Sequence, residues 1–220
     1  MIITRTPFRI SFFGGGTDFP AWYREHGGVV LSTSIDKYCY VSLRKLPPFF
    51  DYKHKTVFFS KQEAFNELDE VEHPAVRETY RFMDVTEGLV MQHDGDLPSH
   101  SGLGSSSAFT VGLLHALYAL RGKMVTKKRL AMEAIHIEQN MIGEAVGSQD
   151  QTASAFGGLN RIIFSAQNNI EVNPFVMTTE KSTYLQSSLM LFFTGFARFA
   201  VEIEQDKLRH LDKKSTNFHL

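Results

Sequence analysis

The apolar positions change their spacing along the chain, and the change divides it into two regions. Over residues 2–59, β-branched and aromatic residues fall in short runs broken by glycine and polar pairs. Such runs fit a pleated, half-buried backbone. They predict strands over 2–4, 9–13, 29–35, 38–43 and 56–59. Gly14-Gly15-Gly16-Thr17 ends the second run ahead of a short helix around 20–24, which opens on Pro20. Asp36-Lys37, between two apolar runs, predicts a hairpin and an antiparallel arrangement.

Beyond residue 70 the helical period takes over. Residues 74–82 have helix-forming composition with a proline at the start, and 89–92 read as a strand entering a loop over 98–104. Over 105–120, Phe109, Leu113, Ala116, Leu117 and Leu120 recur at helical spacing, and Gly122 stands where a helix end favours it. Further helices are predicted over 126–142 and 149–155; Gly157-Gly158 then returns the chain to a strand over 159–164. A buried strand over 189–194 and a helix over 198–211 complete the expected elements.

With 220 residues and 43% hydrophobic content, the chain can bury a substantial core, which excludes a disordered polypeptide. The 23 basic and 24 acidic residues nearly cancel, so no overall field favours nucleic acid or an anionic membrane, and anion binding must be local. Cys39 is the single cysteine; that usage fits a reducing compartment, so a cytoplasmic location is expected. The first twenty residues include Arg5, Pro7, Arg9 and Asp18, which a signal peptide or membrane span would not carry.

The strongest chemical signal is the small-residue loop of Pro98, Ser101, Gly102, Leu103, Gly104, Ser105, Ser106 and Ser107, which runs straight into an amphipathic helix. Glycines allow close backbone approach, first-turn N–H groups lack intrahelical partners, and the helix dipole favours negative charge there. Phosphate suits such a terminus; a Ser-rich helix cap is the plainer alternative. A helix end contributes only about 0.3–1 kcal/mol per charge, so a triphosphate would also need Mg2+. No Gly-Lys-Ser/Thr ending and no Gly-x-Ser-x-Gly occurs here, which removes Walker A proteins and nucleophile-elbow hydrolases.

Two carboxylates also draw notice. Asp18 can accept hydrogen bonds from vicinal hydroxyls, or cap the short helix after it. Glu138 lies on a stripe with Ala131, Ala134, Ile135 and Ile142, where an unpaired charge would be costly and a bound cation would offset it. The alternative is a solvated stripe edge, since Leu130, Ala134, Ile137 and Met141 define a second apolar face. His93, His100 and His136 lack metal-ligand spacing and read as surface or core residues. Residues 207–214 read as a solvated charged face. The aromatics, Phe58 among them, read as core.

Residues 98–108 resemble the Pro-x-x-x-Gly-Leu-Gly-Ser-Ser-Ala phosphate loop of the GHMP kinases, the galactokinase, homoserine, mevalonate and phosphomevalonate kinase superfamily. Residues 6–20 resemble its first motif, in a Gly-Gly-Gly-Thr-Asp form similar to that of bacterial D-glycero-D-manno-heptose 7-phosphate kinases and fucokinase domains. Residues 147–158 resemble the stretch that carries its catalytic aspartate. The resemblance implies an α+β fold with a ribosomal protein S5 domain 2-like N-terminal domain over 1–180, and over 181–220 the start of a ferredoxin-like C-terminal domain, opened by a strand near 191–198.

The same resemblance implies Asp150 as catalytic base beside Arg9, with helix-start capping as the ordinary alternative for Asp150. It implies a sugar site at Gly15, Gly16, Thr17 and Asp18, ATP on the 98–107 loop, and Mg2+ on Ser106 and Glu138. The expected activity is phosphorylation of the anomeric (C1) hydroxyl of a heptose 7-phosphate for surface-polysaccharide synthesis, with other sugar 1-kinases, fucokinase included, as the alternative. Expected partners are ATP and a sugar phosphate, without nucleic acid or membrane. The family's third, glycine-rich motif has no counterpart here, so a noncatalytic binding remnant is the rival of another class. Leu189, Leu191, Phe192 and Phe193 are expected to stay partly uncovered and to favour self-association.

Overall fold

The computed structural model describes residues 1–58, 61–98, 102–167 and 169–192. Its frame is one seven-stranded sheet: β1 (Ile2–Phe13), β2 (Gly28–Lys45), β3 (His54–Val57), β4 (Gln62–Phe65), β5 (Leu89–Gly95), β6 (Leu159–Phe164) and β7 (Ile170–Pro174). The order is β4-β3-β5-β2-β6-β7, with β1 lying along β2. Pairing is antiparallel except between β3 and β5. Along β1, Thr4, Thr6 and Phe8 are buried while Ile3 and Arg5 are exposed, the alternation of a sheet covered on one face.

Two expectations about the strands are corrected. Residues 2–4 and 9–13 belong to one strand, and 29–35 and 38–43 belong to another, with no hairpin at Asp36-Lys37. β1 pairs with both halves of β2, Pro7 facing Tyr38 and Arg9 facing Ser34, so Asp36-Lys37 fall in an irregularity of register. Long-range pairing carries the chain through a dipeptide that local chemistry marks as a turn.

The helices are α1 (Pro20–His26), α2 (Pro74–Phe82), α3 (Ser105–Leu120), α4 (Lys127–His136), α5 (Gln149–Phe156) and α6 (Thr179–Ser187). α2 and α3 have the predicted limits, the first set by Pro74 at its opening turn. Thr126 caps α4 by accepting from the Arg129 N–H. The helix expected to run to residue 142 instead turns π-helical over Ile137–Ile142, and the wider turn changes which side chains face inward. β4, β7 and α6 are short or polar and left no apolar period; α6 buries no residue.

The main core joins Leu113, Leu114 and Leu117 of α3 to Phe8, Val41, Leu43 and Met91 of the sheet and Tyr80 of α2. Each fully buried leucine contributes about 1.5–3 kcal/mol. A smaller cluster sets Tyr23 of α1 on Phe164 of β6, ring centroids 5.5 Å apart. Residues 189–192, the described part of an expected strand, form none; Leu189, Leu191 and Phe192 are exposed, as expected of them. A strand forms only against a partner, and none lies beside them among the described residues. Phe193, the helix expected over 198–211 and the charged run at 207–214 lie outside the described residues. No described helix is long and apolar enough to cross a membrane.

Candidate active site

β2 has one edge covered by β1 and the other shared by two strands in succession. β6 pairs with residues up to Thr33, and β5 pairs from Cys39 onward. At the gap between them the chain leaves β5 toward the 98–104 loop and enters β6 from Gly157-Gly158. Polar bonds hold the gap: Ser34 N–H donates to the Gly158 carbonyl (3.1 Å), and Tyr38 N–H donates to Asp96 Oδ2 (2.8 Å). The sheet thus brings β1, the loop before α3 and the start of α5 to one place.

Arg9 makes the junction. Its Nε and Nη2 donate to Asp150 Oδ1 (2.7 Å) and Oδ2 (2.5 Å), a bidentate pair. Its Nη1 donates to the Gly102 carbonyl (3.0 Å), and its backbone N–H donates to the Leu103 carbonyl (3.2 Å). Gly104 has φ +75°, and a Cβ there would lie 3.4 Å from both Arg9 and Asp150 Oδ2. A side chain would be strained in that backbone and would crowd the pair.

Gly104 is also the N-cap of α3 and uses no side-chain cap, so Ser105, Ser106 and Ser107 occupy the first turn instead of capping it. The plain Ser-cap reading is therefore not what the loop does, and first-turn N–H groups stay free of a side-chain cap. Pro98 is described at the loop's start; Ser101 and His100 lie outside the described residues. Asp150 does not cap α5 either: the N-cap is Ser148, and the Asp150 carboxylate is spent on Arg9.

Asp18 is 1% exposed. Oδ1 accepts from the Gly16 N–H (3.0 Å) and from Gln149 Nε2 (3.3 Å), and Oδ2 accepts from the Gln149 N–H (3.1 Å). Burial and then the nearby charge of Asp150 push its carboxyl above the ordinary value, against the backbone bonds from Gln149 and Gly16. A Cβ on Gly147 would fall 1.9 Å from Asp18 Oδ2, so only glycine permits this seat. The capping alternative is corrected: Phe19 is the N-cap of α1, and no side chain caps it. Gly15 and Gly16 border the site, whereas the Thr17 hydroxyl donates to the Gly14 carbonyl (2.8 Å) and accepts from the Val29 N–H (3.1 Å). That threonine latches the glycine turn to β2.

Glu138 is 1% exposed in the π-helical turn, so the solvated-edge alternative is corrected: the wider turn carries the side chain inward. Oε2 accepts from Ser107 Oγ (2.8 Å) and from Gln151 Nε2. The serine that meets Glu138 is thus Ser107, not Ser106, which stands about 100° back around the helix and is exposed. Burial pushes the Glu138 carboxyl up to about 7, against the bonds from Gln151 and Ser107. Glu138 Oε1 and Gln151 Oε1 are buried without a hydrogen-bond partner among the described residues. No cluster of three or more His, Cys, Asp or Glu forms among the described residues. A carboxylate with an orphaned oxygen beside serine hydroxyls and a phosphate-suited loop still fits Mg2+, which takes one or two protein carboxylates and draws other ligands from phosphate and water.

Sequence reading passed over Ser11, Gln149 and Gln151 as individuals. Ser11 Oγ donates to Gln149 Oε1 (2.6 Å), and the two glutamines flank Asp150, one on Asp18 and the other on Glu138. The Gln-Asp-Gln spacing was visible, but it has meaning only once α5 faces both carboxylates. His93 joins an aromatic cluster with Phe58, His73 and Phe109, and His136 packs near Phe82. His93 is half-buried in that packing and His136 is exposed at the surface.

Comparison with known proteins relates the chain to a kinase family. The family model for the GHMP kinases N terminal domain matches residues 68–158. A D-glycero-alpha-D-manno-heptose 7-phosphate kinase from Campylobacter jejuni is 31% identical over 97% of this chain and 66% of its own length. A galactokinase from Pyrococcus furiosus is 25% identical over 98% of this chain and 61% of its own. The chain therefore spans less than two thirds of the length of these relatives. The solved structure of a D-glycero-D-manno-heptose 1-phosphate kinase from B. thetaiotaomicron superposes with TM-score 0.80 at 24% identity, covering 95% of this chain and 71% of that one, a likeness of fold. The chain thus carries a GHMP kinase N-terminal domain over residues 68–158 and is similar along nearly all its length to sugar kinases of that family.

Proposed function

We propose that the protein transfers a phosphoryl group from ATP to the anomeric hydroxyl of a heptose 7-phosphate, supplying nucleotide-activated heptose for a surface polysaccharide in the cytoplasm. One observation carries this reading: the Asp150 carboxylate is held by Arg9 directly against the 102–104 loop, so an acid stands where a phosphate-binding turn begins. The heptose 7-phosphate kinase likeness supplies the acceptor class.

In this reading the loop of Pro98, Ser101, Gly102, Leu103, Gly104 and Ser105 to Ser107 binds ATP through backbone N–H groups and hydroxyls. Glu138, with Ser106 and Ser107, would hold Mg2+, which when bound neutralises phosphate charge. Asp150 accepts a hydrogen bond from the attacking hydroxyl; with one lone pair of each oxygen given to Arg9, the other remains for the acceptor. It orients that oxygen and takes its proton late in transfer, while Arg9 fixes both carboxylate and loop. Gly15, Gly16, Thr17 and Asp18 form the sugar side.

The test supplies the purified protein with ATP, Mg2+ and a panel of sugars and follows new anomeric phosphate by phosphorus NMR. Heptose 7-phosphate is expected to react fastest, and Asp150→Asn to lower kcat by about 10²–10⁴-fold. Preference for fucose would move the assignment to another sugar 1-kinase. Nucleotide and sugar binding with no transfer would replace it by a noncatalytic module, and wild-type rates in Asp150→Asn would remove the mechanism.

A further inference from the structure

Asp18 is the acid that the first motif offers to a sugar, yet its carboxylate is buried and already holds bonds from Gly16 and from both the backbone and side chain of Gln149. What stands in front of it is the Gln149 carboxamide. That side chain is half-buried, and Nε2 lies 3.8 Å from where a Cβ on exposed Gly15 would sit. The amide cannot rotate freely between its two faces. Both Asp18 oxygens already accept backbone N–H groups, so Nε2 faces Oδ1 as a further donor, and Oε1 is left to accept from Ser11 Oγ. One N–H and one oxygen lone pair then have no partner among the described residues. That donor and acceptor, side by side, complement a hydroxyl group, which both donates and accepts.

We propose that Gln149, rather than Asp18, reads the acceptor: its carboxamide exchanges hydrogen bonds with one hydroxyl on the carbon next to the phosphorylated one, while Asp18 and Ser11 hold the amide in the orientation that selects that hydroxyl's configuration. The inference rests on the sugar-kinase reading above. Its position follows from the chain itself, since Gln149 directly precedes Asp150 at the start of α5. A site built on a hydrogen-bonding amide rejects the wrong epimer because the wrong hydroxyl leaves buried polar groups unpaired.

The experiment compares two aldose phosphates that differ only in configuration at the carbon beside the anomeric one. The wild-type protein prefers one. Gln149→Met, close in length but unable to hydrogen-bond, should raise KM for that epimer about tenfold and bring the epimer ratio toward unity. The ATP KM should stay within about twofold, because the nucleotide loop is untouched. Ser11→Ala should shift the ratio in the same direction by less, and Ser11→Thr, which keeps the hydroxyl, should restore it. An unchanged ratio in Gln149→Met, or sugar and ATP KM rising together, overturns the proposal. If Gln149→Met does not fold, as judged by its thermal melt, an unchanged ratio in Ser11→Ala overturns it instead. Calorimetry separates this from failure of the kinase reading: without any transfer, weaker sugar binding by Gln149→Met still supports the proposal, and equal binding defeats it.

Discussion

Along its inner half, α3 presents Leu113, Leu114 and Leu117 to Val41, Leu43 and Met91, all fully buried, whereas its first turn presents Ser107 to Glu138, whose Oε1 is equally buried and has no partner among the described residues. The same helix thus packs in two ways. The leucine region is filled by apolar side chains; of its polar neighbours, Thr4 Oγ1 donates to the Gly112 carbonyl (2.9 Å), while the Tyr80 hydroxyl is buried without a partner among the described residues. The serine region holds Glu138 and Gln151 out of water, each with an oxygen that lacks a partner among the described residues, a state that opposes folding and persists where function requires it. Stability and chemistry are separated along one element by about two helical turns.

The largest change that would sharpen this contrast is Leu114→Ala. It should remove about 2–5 kcal/mol of stability by denaturant titration, while nucleotide affinity of the folded fraction stays unchanged. A matching loss of affinity would mean that the two regions are not separable.

Glu138→Gln should act in the opposite sense. The carboxyl is raised to about 7 in the folded protein from an ordinary 4.5, so its favourable contribution is present below the ordinary value and is lost as pH rises through 7. In the absence of divalent cations, Glu138→Gln should therefore be more stable than wild type by about 1–3 kcal/mol at pH 8, with little difference at pH 4. Equal melting curves at pH 8 would show that the buried charge is compensated after all.

The smallest effect concerns the aromatic packing beside α3. Burial, followed by nearby His93, lowers the His73 imidazole to about 4. The unfolded chain then takes up protons first as pH falls from the ordinary 6.5 toward 4, and stability is lost across that window. His73→Phe, stacked on Phe58 in the same place, should flatten the decline by about 1 kcal/mol between pH 7 and 5, read from thermal melts. An unaltered decline would move its cause to buried His54, whose imidazole is also lowered to about 4.

Much of this was legible before any coordinate. The limits of α2 and α3 follow from Pro74 and from the apolar period beginning at Phe109, because those signals act within one helix. The grouping of Arg9, the 98–107 loop and Asp150 followed from motif chemistry, and Arg9 does meet both the loop and Asp150. Errors arose where a distant partner outweighed a local signal. Asp36-Lys37 resembles a turn and runs as strand because β1 lies along both sides of it; likewise the direct hydrogen bond of Ser107 to Glu138 follows from the phase of α3 against the π-helical turn and was not visible in the sequence.

The sequence by itself determined the kinds of element and the chemistry each one carries, since helical period, glycine turns and small-residue loops are properties of neighbouring residues. Only the tertiary structure decided which groups face each other. Gln149 is far along the chain from Ser11 and Asp18, and their hydrogen bonds exist because folding packs the start of α5 against β1 and the glycine turn. Hydrogen bonds demand ångström-scale placement, and that placement comes from packing the whole sheet against its helices.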